Sequence, residues 1–193
     1  GGGKMAERVR HHDWAATPLG PLDQWPDVLK TTVSLCLASS FPQAIVWGPS
    51  LTTLYNDGFV PILGDKPNAL GRPFSEIWQE AWPRISPIAN AAFAGEATFI
   101  ENFPLTVERG GAPEQAYFTF CYSPIRDVNG QVVGMLDTVT ETTATVVLSG
   151  RLAELNASLE QRVDERTTLL TQTEAALRQS QKLEAIGQLT GGV

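Results

Sequence analysis

The sequence predicts an α+β domain, a five-stranded antiparallel sheet with helices on one face, preceded by a flanking helix and followed by one long helix. Three observations carry this. Short apolar or alternating runs bounded by turn residues recur five times, two before and three after a helical middle stretch. All 13 prolines, all five tryptophans and all eight phenylalanines lie before residue 145. Beyond it Ala, Leu, Glu, Gln and Arg dominate, which are strong helix formers.

In chain order, Gly1 to Lys4 ahead of Met5 read as a cloning remnant, and residues 1–12 are set outside the fold. "DWAATPLGPLDQWPDVLKTTVSLCLASS" gives a Pro/Gly turn and then a helix with Pro26 near its first position, where a missing N–H costs nothing. Val28, Leu29, Val33, Cys36 and Leu37 form one apolar stripe on it, either packed on the sheet or meeting a second copy. "QAIVWG" and "LTTLYND", joined by Gly48-Pro49-Ser50, read as a hairpin. "FSEIWQEAWPRISPIANAAFAG" supplies helical character. Three strands follow: 97–110 with Phe99, Phe103, Leu105 and Val107 on one face, 115–125 alternating Phe118, Phe120 and Tyr122, and 131–141 after the turn Asp127 to Gly130.

From about residue 147 one helix is expected to run to the end. Its apolar positions, Leu148, Leu152, Leu155, Leu159, Val163, Leu170 and Leu177, form the narrow stripe that two helices bury against each other. The consecutive four-residue steps from Leu155 to Leu159 to Val163 are a stutter that locally unwinds a supercoil. Arg166, Thr173 and Ser180 place polar groups on the seam and weaken it. Glu174 and Arg178 are spaced for an i,i+4 pair. The division is therefore 1–12 extension, 13–145 globular domain with its flanking helix, 146–180 coiled-coil helix and 181–193 a distinct closing segment.

A net charge of −7 and a pI near 4.8 leave no basic face broad enough to neutralise several phosphates, so nucleic acid is not an expected partner. The sequence holds neither a long apolar run nor a secretory signal, and a cytoplasmic location is expected, whether or not a parent protein is attached to a membrane. Cys36 and Cys121 have no metal-ligand spacing, and no metal site is expected.

The order strand-strand-helices-strand-strand-strand, with a helix leaving the last strand, resembles the PAS sensor domain. The resemblance covers about residues 13–143 and is carried by "DWAATPLGPLDQWP", "WGPSLTTLYND", "ALGRPFSEIW" and above all "YSPIRDVNGQVVGMLDTVTETT". PAS exits often carry Asp-hydrophobic-Thr-Glu. Here Thr138, Val139, Thr140 and Glu141 stand at that signal exit, and no Asp is in place for a polar latch. "LRQSQKLEAIGQLTGGV" resembles the start of the dimerisation and phosphotransfer helix of histidine kinases. That resemblance implies Leu183, Ile186 and Leu189 on a bundle seam, with Gly191 and Gly192 allowing a catalytic domain to approach a phosphoacceptor histidine just beyond Val193. Two adjacent glycines in a strong helix, each costing about 1 kcal/mol against alanine, have no structural reason of their own.

A flavin photosensor of this fold needs a cysteine shortly after the Gly-Arg of its middle helix, whereas Gly71-Arg72 is followed by Pro73, Phe74 and Ser75. Haem needs a core nitrogen or thiolate ligand, and the only histidines, His11 and His12, lie outside the core. No cofactor is expected in this chain. Trp47, Tyr55, Trp78, Trp82, Ile85, Phe93, Phe99, Phe103, Phe118, Phe120 and Tyr122 are expected to form a filled core, with an apolar ligand pocket among them as the alternative. Asn56, Arg72, Glu101 and Asn102 are its candidate polar contacts. The function expected is a sensory module that relays an unknown small-molecule or protein signal through a parallel homodimeric coiled coil. No catalytic residue is expected in this chain. The parent would be an ATP- and Mg²⁺-dependent histidine kinase with a response regulator as partner. The alternatives are a PAS sensor of another output such as a nucleotide cyclase, and a pure dimerisation module. An enzyme using the pocket lacks a core histidine or a nucleophile beside a base.

Overall fold

The computed structural model describes residues 3–66 and 68–190, the side chains of 186–190 excepted. The chain divides near Val146 into two units. The first opens with α1 (Lys4–His11), so the expectation that residues 1–12 lie outside the fold is corrected. Met5, Ala6 and Val9 share one helical face and are buried with the core. Asp57 Oδ1 accepts a hydrogen bond from Met5 N at 3.1 Å, which places a carboxylate where a helix start favours negative charge. Buried Trp14 donates its indole N–H to Val9 O at 2.7 Å and meets Trp25 edge-on at 5.0 Å. Helix α2 (Asp27–Ala38) starts directly after Pro26, buries Leu29, Val33 and Cys36, and packs against the first two strands.

Those strands are the hairpin β1 (Gln43–Trp47) and β2 (Thr52–Tyr55). The helical middle is α3 (Val60–Leu63), α4 (Phe74–Ile77) and α5 (Trp82–Phe93). Then come β3 (Thr98–Arg109), β4 (Ala112–Arg126) and β5 (Val132–Glu141). Every pairing is antiparallel and the sheet order is β2-β1-β5-β4-β3, so the last strand lies at the centre, bridging the two hairpins. Helix α5 packs on β3, β4 and β5. The close pairing of β1 with β5 explains Gly134: a Cβ there would stand 2.7 Å from Val46 O and 3.1 Å from the Trp47 ring.

Both sheet edges are protected. Residues 71–74 run along β2, with Thr53 N donating to Arg72 O at 3.0 Å and Gly71 N to Thr53 O at 2.8 Å. The β3 edge carries exposed Glu101 and Glu108, Pro104 and a bulge. In that bulge Ile100 pairs with Phe120 while Phe103 pairs with Phe118, so β3 holds one extra residue, and Asn102 has φ +50°. An extra residue inverts the alternation. Phe103, Leu105 and Val107 keep the predicted inward face, but Phe99 turns outward and is 66% exposed.

Helix α6 (Thr143–Thr190) starts four residues before the predicted position and runs unbroken through Gly150. Every residue from 147 to 185 is exposed. The expected Glu174–Arg178 pair does not form, the ion pairs among the described residues being Lys66–Glu80, Arg72–Glu76 and Arg109–Glu141. Gly191, Gly192 and Val193 lie outside the described residues, as do the side chains of Ile186 and Leu189. No described helix is long and apolar enough to cross a membrane.

Candidate functional site

Between the sheet and the middle helices lies a cavity of about 30 Å³. A single water needs roughly 10–15 Å³ on this measure, so the space holds one or two non-hydrogen atoms and the aromatic side chains fill the rest. Of the expected pocket residues, Trp78, Ile85, Phe118, Phe120 and Tyr122 line it, joined by Phe59, Ile62, Phe74, Leu105, Asp137 and Val139. The rings pack edge to face, Phe74 against Tyr122 at 6.3 Å and Phe59 against Trp78 at 6.4 Å.

The remaining expected residues are elsewhere. Trp47 sits half-buried at the end of β1 beside Pro49. Tyr55 is buried against Phe59 at 5.9 Å, and Trp82 packs on Phe74 at 6.4 Å, neither reaching the cavity. Phe93 is half-buried on α5. Phe103 stacks edge-on with Phe120 at 5.8 Å beneath the Arg84 guanidinium. Glu101 and Asn102 are exposed, carried outward by the bulge. Arg72 pairs with Glu76 at 3.2 Å on the surface, one helical turn apart.

Asn56 is not a ligand contact either, because every polar atom of its side chain is spent on the backbone. Its Oδ1 accepts from Gln43 N and Phe59 N, both at 3.0 Å. Its Nδ2 donates to Cys36 O at 3.1 Å, Ser39 O at 3.0 Å and Phe41 O at 2.7 Å. It clamps the end of α2, the start of β1 and the turn after β2 to one another. The Cys36 thiol lies beside this clamp with Gln43 O at 3.6 Å, and burial pushes it up to about 12.

Asp137 is the residue that the sequence reading passed over. It faces Ala44 on β1 and Tyr122 on β4 across the centre of the sheet, in the inward row that includes Met135 and Val139. It is 4% exposed, and its Oδ1 has no hydrogen-bond partner among the described residues. Burial holds its carboxyl well above the usual carboxylate range. The Trp78 indole N–H also has no partner among the described residues.

A second constellation ends β5. Arg109 at the end of β3 donates to both oxygens of Glu141, at 3.0 Å from Nη1 and 2.6 Å from Nη2. Thr143, the first residue of α6, donates to Glu141 Oε1 at 2.8 Å and accepts from Tyr117 N at 2.9 Å, while Thr142 N donates to Tyr117 O at 2.7 Å. A bidentate Arg–Glu pair is thus the polar latch that no Asp supplies. Within the exit, Thr138 accepts from Gln43 Nε2 at 3.2 Å, Val139 lines the cavity and Thr140 is exposed. The Arg109 hydrogen bonds hold the Glu141 carboxyl below its usual range. The contribution is present above an unfolded value of about 4.3 and is lost as pH falls through the depressed folded value. Arg109→Ala is expected to cost about 1–2 kcal/mol at neutral pH, to remove that acid-side dependence, and to accelerate amide hydrogen exchange at Thr142 and Thr143. Denaturant titrations at neutral and acid pH, with exchange mass spectrometry, check both.

No protein-family model matches the chain, and no curated protein matches it. Among solved structures it is similar to an RNA-binding light-oxygen-voltage receptor, with 23% identity and a TM-score of 0.48 over 76% of this chain. It spans 42% of that receptor chain's length. It is also similar to the PAS domain of Bordetella pertussis BvgS, with 19% identity and a TM-score of 0.47, covering 69% of this chain and 99% of that one. A sensory box sensor histidine kinase from Vibrio cholerae shows 16% identity and a TM-score of 0.39, covering 59% of this chain and 87% of that one. On its own sheet order and helical layer, the chain has the PAS fold.

Proposed function

We propose that this chain is the sensory and dimerising module of a two-component histidine kinase. The observation that carries the reading is the uncovered apolar stripe of α6, where Leu148, Leu152, Leu155, Leu159, Val163, Leu170 and Leu177 stand 54–65% exposed on a helix of 48 residues. A monomer leaves such a stripe in water at a cost of about 25 cal/mol for each Å². A parallel copy of the same helix buries it in register, leucine against leucine. The closing "LRQSQKLEAIGQLTGGV" supports continuation into a phosphotransfer helix.

In this reading the PAS core biases the relation between the paired helices. A change at the cavity acts on Asp137 and Val139, and β5 carries it two residues further to Glu141, whose carboxylate holds both the β3 end and the first residue of α6. The stutter and the polar seam positions leave the coil with closely matched registers, so a coupling of about 1–3 kcal/mol suffices to redistribute them. This chain positions and couples. The parent supplies ATP, Mg²⁺, the phosphorylated histidine and a response regulator as acceptor.

Incubating the parent protein with γ-labelled ATP and Mg²⁺ tests this. An acid-labile, base-stable phosphoryl group on the histidine expected to follow Val193, with a level that changes in the Arg109→Ala variant, is the predicted result. Label that is absent, or unaltered when that histidine is replaced, overturns the kinase reading.

A further inference from the structure

We infer that the cavity beneath β5 is a site for a compact ammonium cation, met by the Asp137 carboxylate among aromatic side chains. The lining contains one acid and no base, together with Phe59, Phe74, Trp78, Phe118, Phe120 and Tyr122. A buried acid with an unpartnered oxygen costs stability wherever nothing answers it, and here no side chain of the core does. Aromatic faces carry negative potential and attract a positive charge held against them, most strongly where water is excluded. A single carboxylate in an otherwise aromatic and aliphatic lining is complementary to one positive charge. A neutral hydroxyl can answer both Asp137 Oδ1 and the Trp78 N–H but brings no charge to the rings.

The dimensions select the ligand. About 30 Å³ accepts one or two non-hydrogen atoms, which means ammonium itself or methylammonium, and longer alkylammonium ions require the middle helices to open. Binding also has a proton balance. Burial favours the protonated Asp137 carboxyl, so a cation that enters as an ammonium ion and pairs with the carboxylate displaces that proton to solvent, with no net change of charge in the core.

A side-chain cation already stands near the lining, Lys66 Nζ lying 5.1 Å from the Trp78 ring centroid and pairing with Glu80. From β4 the neighbouring ionisable group is Tyr122, and from α2 it is Cys36, both raised chiefly by burial, with an ionised Asp137 adding to the shift. The β1 neighbour is Ala44, α4 presents Phe74, α5 presents Ile85, β3 presents Leu105, and α3 with the turn before it presents Ile62 and Phe59, none of them ionisable. The inference rests on the sensory reading only for what the cation would signal.

Calorimetric titration of this protein with methylammonium chloride tests it, at about pH 6 and about pH 8, in buffers of differing ionisation heat. Sodium chloride at equal ionic strength and methanol serve as controls. Methanol matches methylammonium in size, donates to a carboxylate and accepts from an indole N–H. The expected result is binding of methylammonium with release of about one proton for each site, about tenfold or more tighter at the higher pH, and no binding of either control. Asp137→Asn is expected to keep its thermal transition and lose methylammonium binding together with the proton release. The inference is overturned if methylammonium gives only the sodium heats, if methanol binds equally well, or if binding in the unaltered protein releases no proton. The last two outcomes are read without any variant. A bound amine that leaves phosphorylation of the parent unchanged would sink the sensory reading and leave the site standing.

Discussion

Asn56→Ala is expected to lower the stability of the PAS core by about 3–5 kcal/mol, the largest single-residue effect in the domain. The substitution strands the part-buried Gln43 N, leaves Phe59 N only its backbone bond to Asn56 O at 3.1 Å, and takes the side-chain donor away from the carbonyls of Cys36, Ser39 and Phe41. Each unsatisfied buried group costs about 1–3 kcal/mol, and water entering the site recovers part of the sum. Against a total of about 5–15 kcal/mol for an ordinary domain, the variant stands near its unfolding threshold. A thermal midpoint lower by about 10 °C or more is the expected reading. Asn56→Asp offers no remedy at neutral pH, because a carboxylate would face three carbonyl oxygens. A loss of less than about 1 kcal/mol would mean that the three segments are held by packing alone.

The second large effect is expected in the helix. Leu155→Lys combined with Leu159→Lys places four ammonium groups, two from each chain, on the seam of a parallel dimer. Each buried leucine contributes about 1.5–3 kcal/mol, and each 1.4 kcal/mol is a tenfold change in affinity, so dissociation should be promoted by at least about a thousandfold. The variant should sediment as a monomer at micromolar concentration. Its PAS thermal midpoint should stay unchanged, because both leucines are more than half exposed in the single chain. A dimer that survives both lysines would place the contact elsewhere than on this seam.

The sheet was legible because period-two alternation is a local property. Phe118, Phe120 and Tyr122 on β4 declare their face within five residues, and "QAIVW" with "TTLY" declares a hairpin. The bulge in β3 was not legible, since nothing in "FIENF" distinguishes an extra residue from a regular strand until the β4 register counts it. That one residue moved Phe99 from core to surface. The latch was invisible for a related reason. Arg109 and Glu141 are 32 residues apart, and only the register of β3 and β4 with β5 brings them together.

Three features missed in the sequence had signals available. Asp137 occupies the inward row of β5 between Met135 and Val139, so alternation alone marked a charged residue at a core position. "YNDGF" carries Asn ahead of a tight turn, where its side chain bonds the backbone rather than a ligand. Met5 and Val9 likewise stand one helical turn apart, an apolar pair that identifies α1 as part of the core. What remained unreadable was global: which polar groups the finished core leaves without partners.

Transmission through paired, parallel helices is most directly tested by cysteine pairing along α6. In a background with Cys36→Ala and Cys121→Ser, single Leu155→Cys and Leu177→Cys variants should each form an interchain disulfide rapidly under mild oxidation. Mixing the two variants should yield few crosslinks between position 155 and position 177. Efficient 155-to-177 pairing with no self-pairing at either position would mean an antiparallel arrangement and contradict the account, as would a chain that forms no crosslink at all.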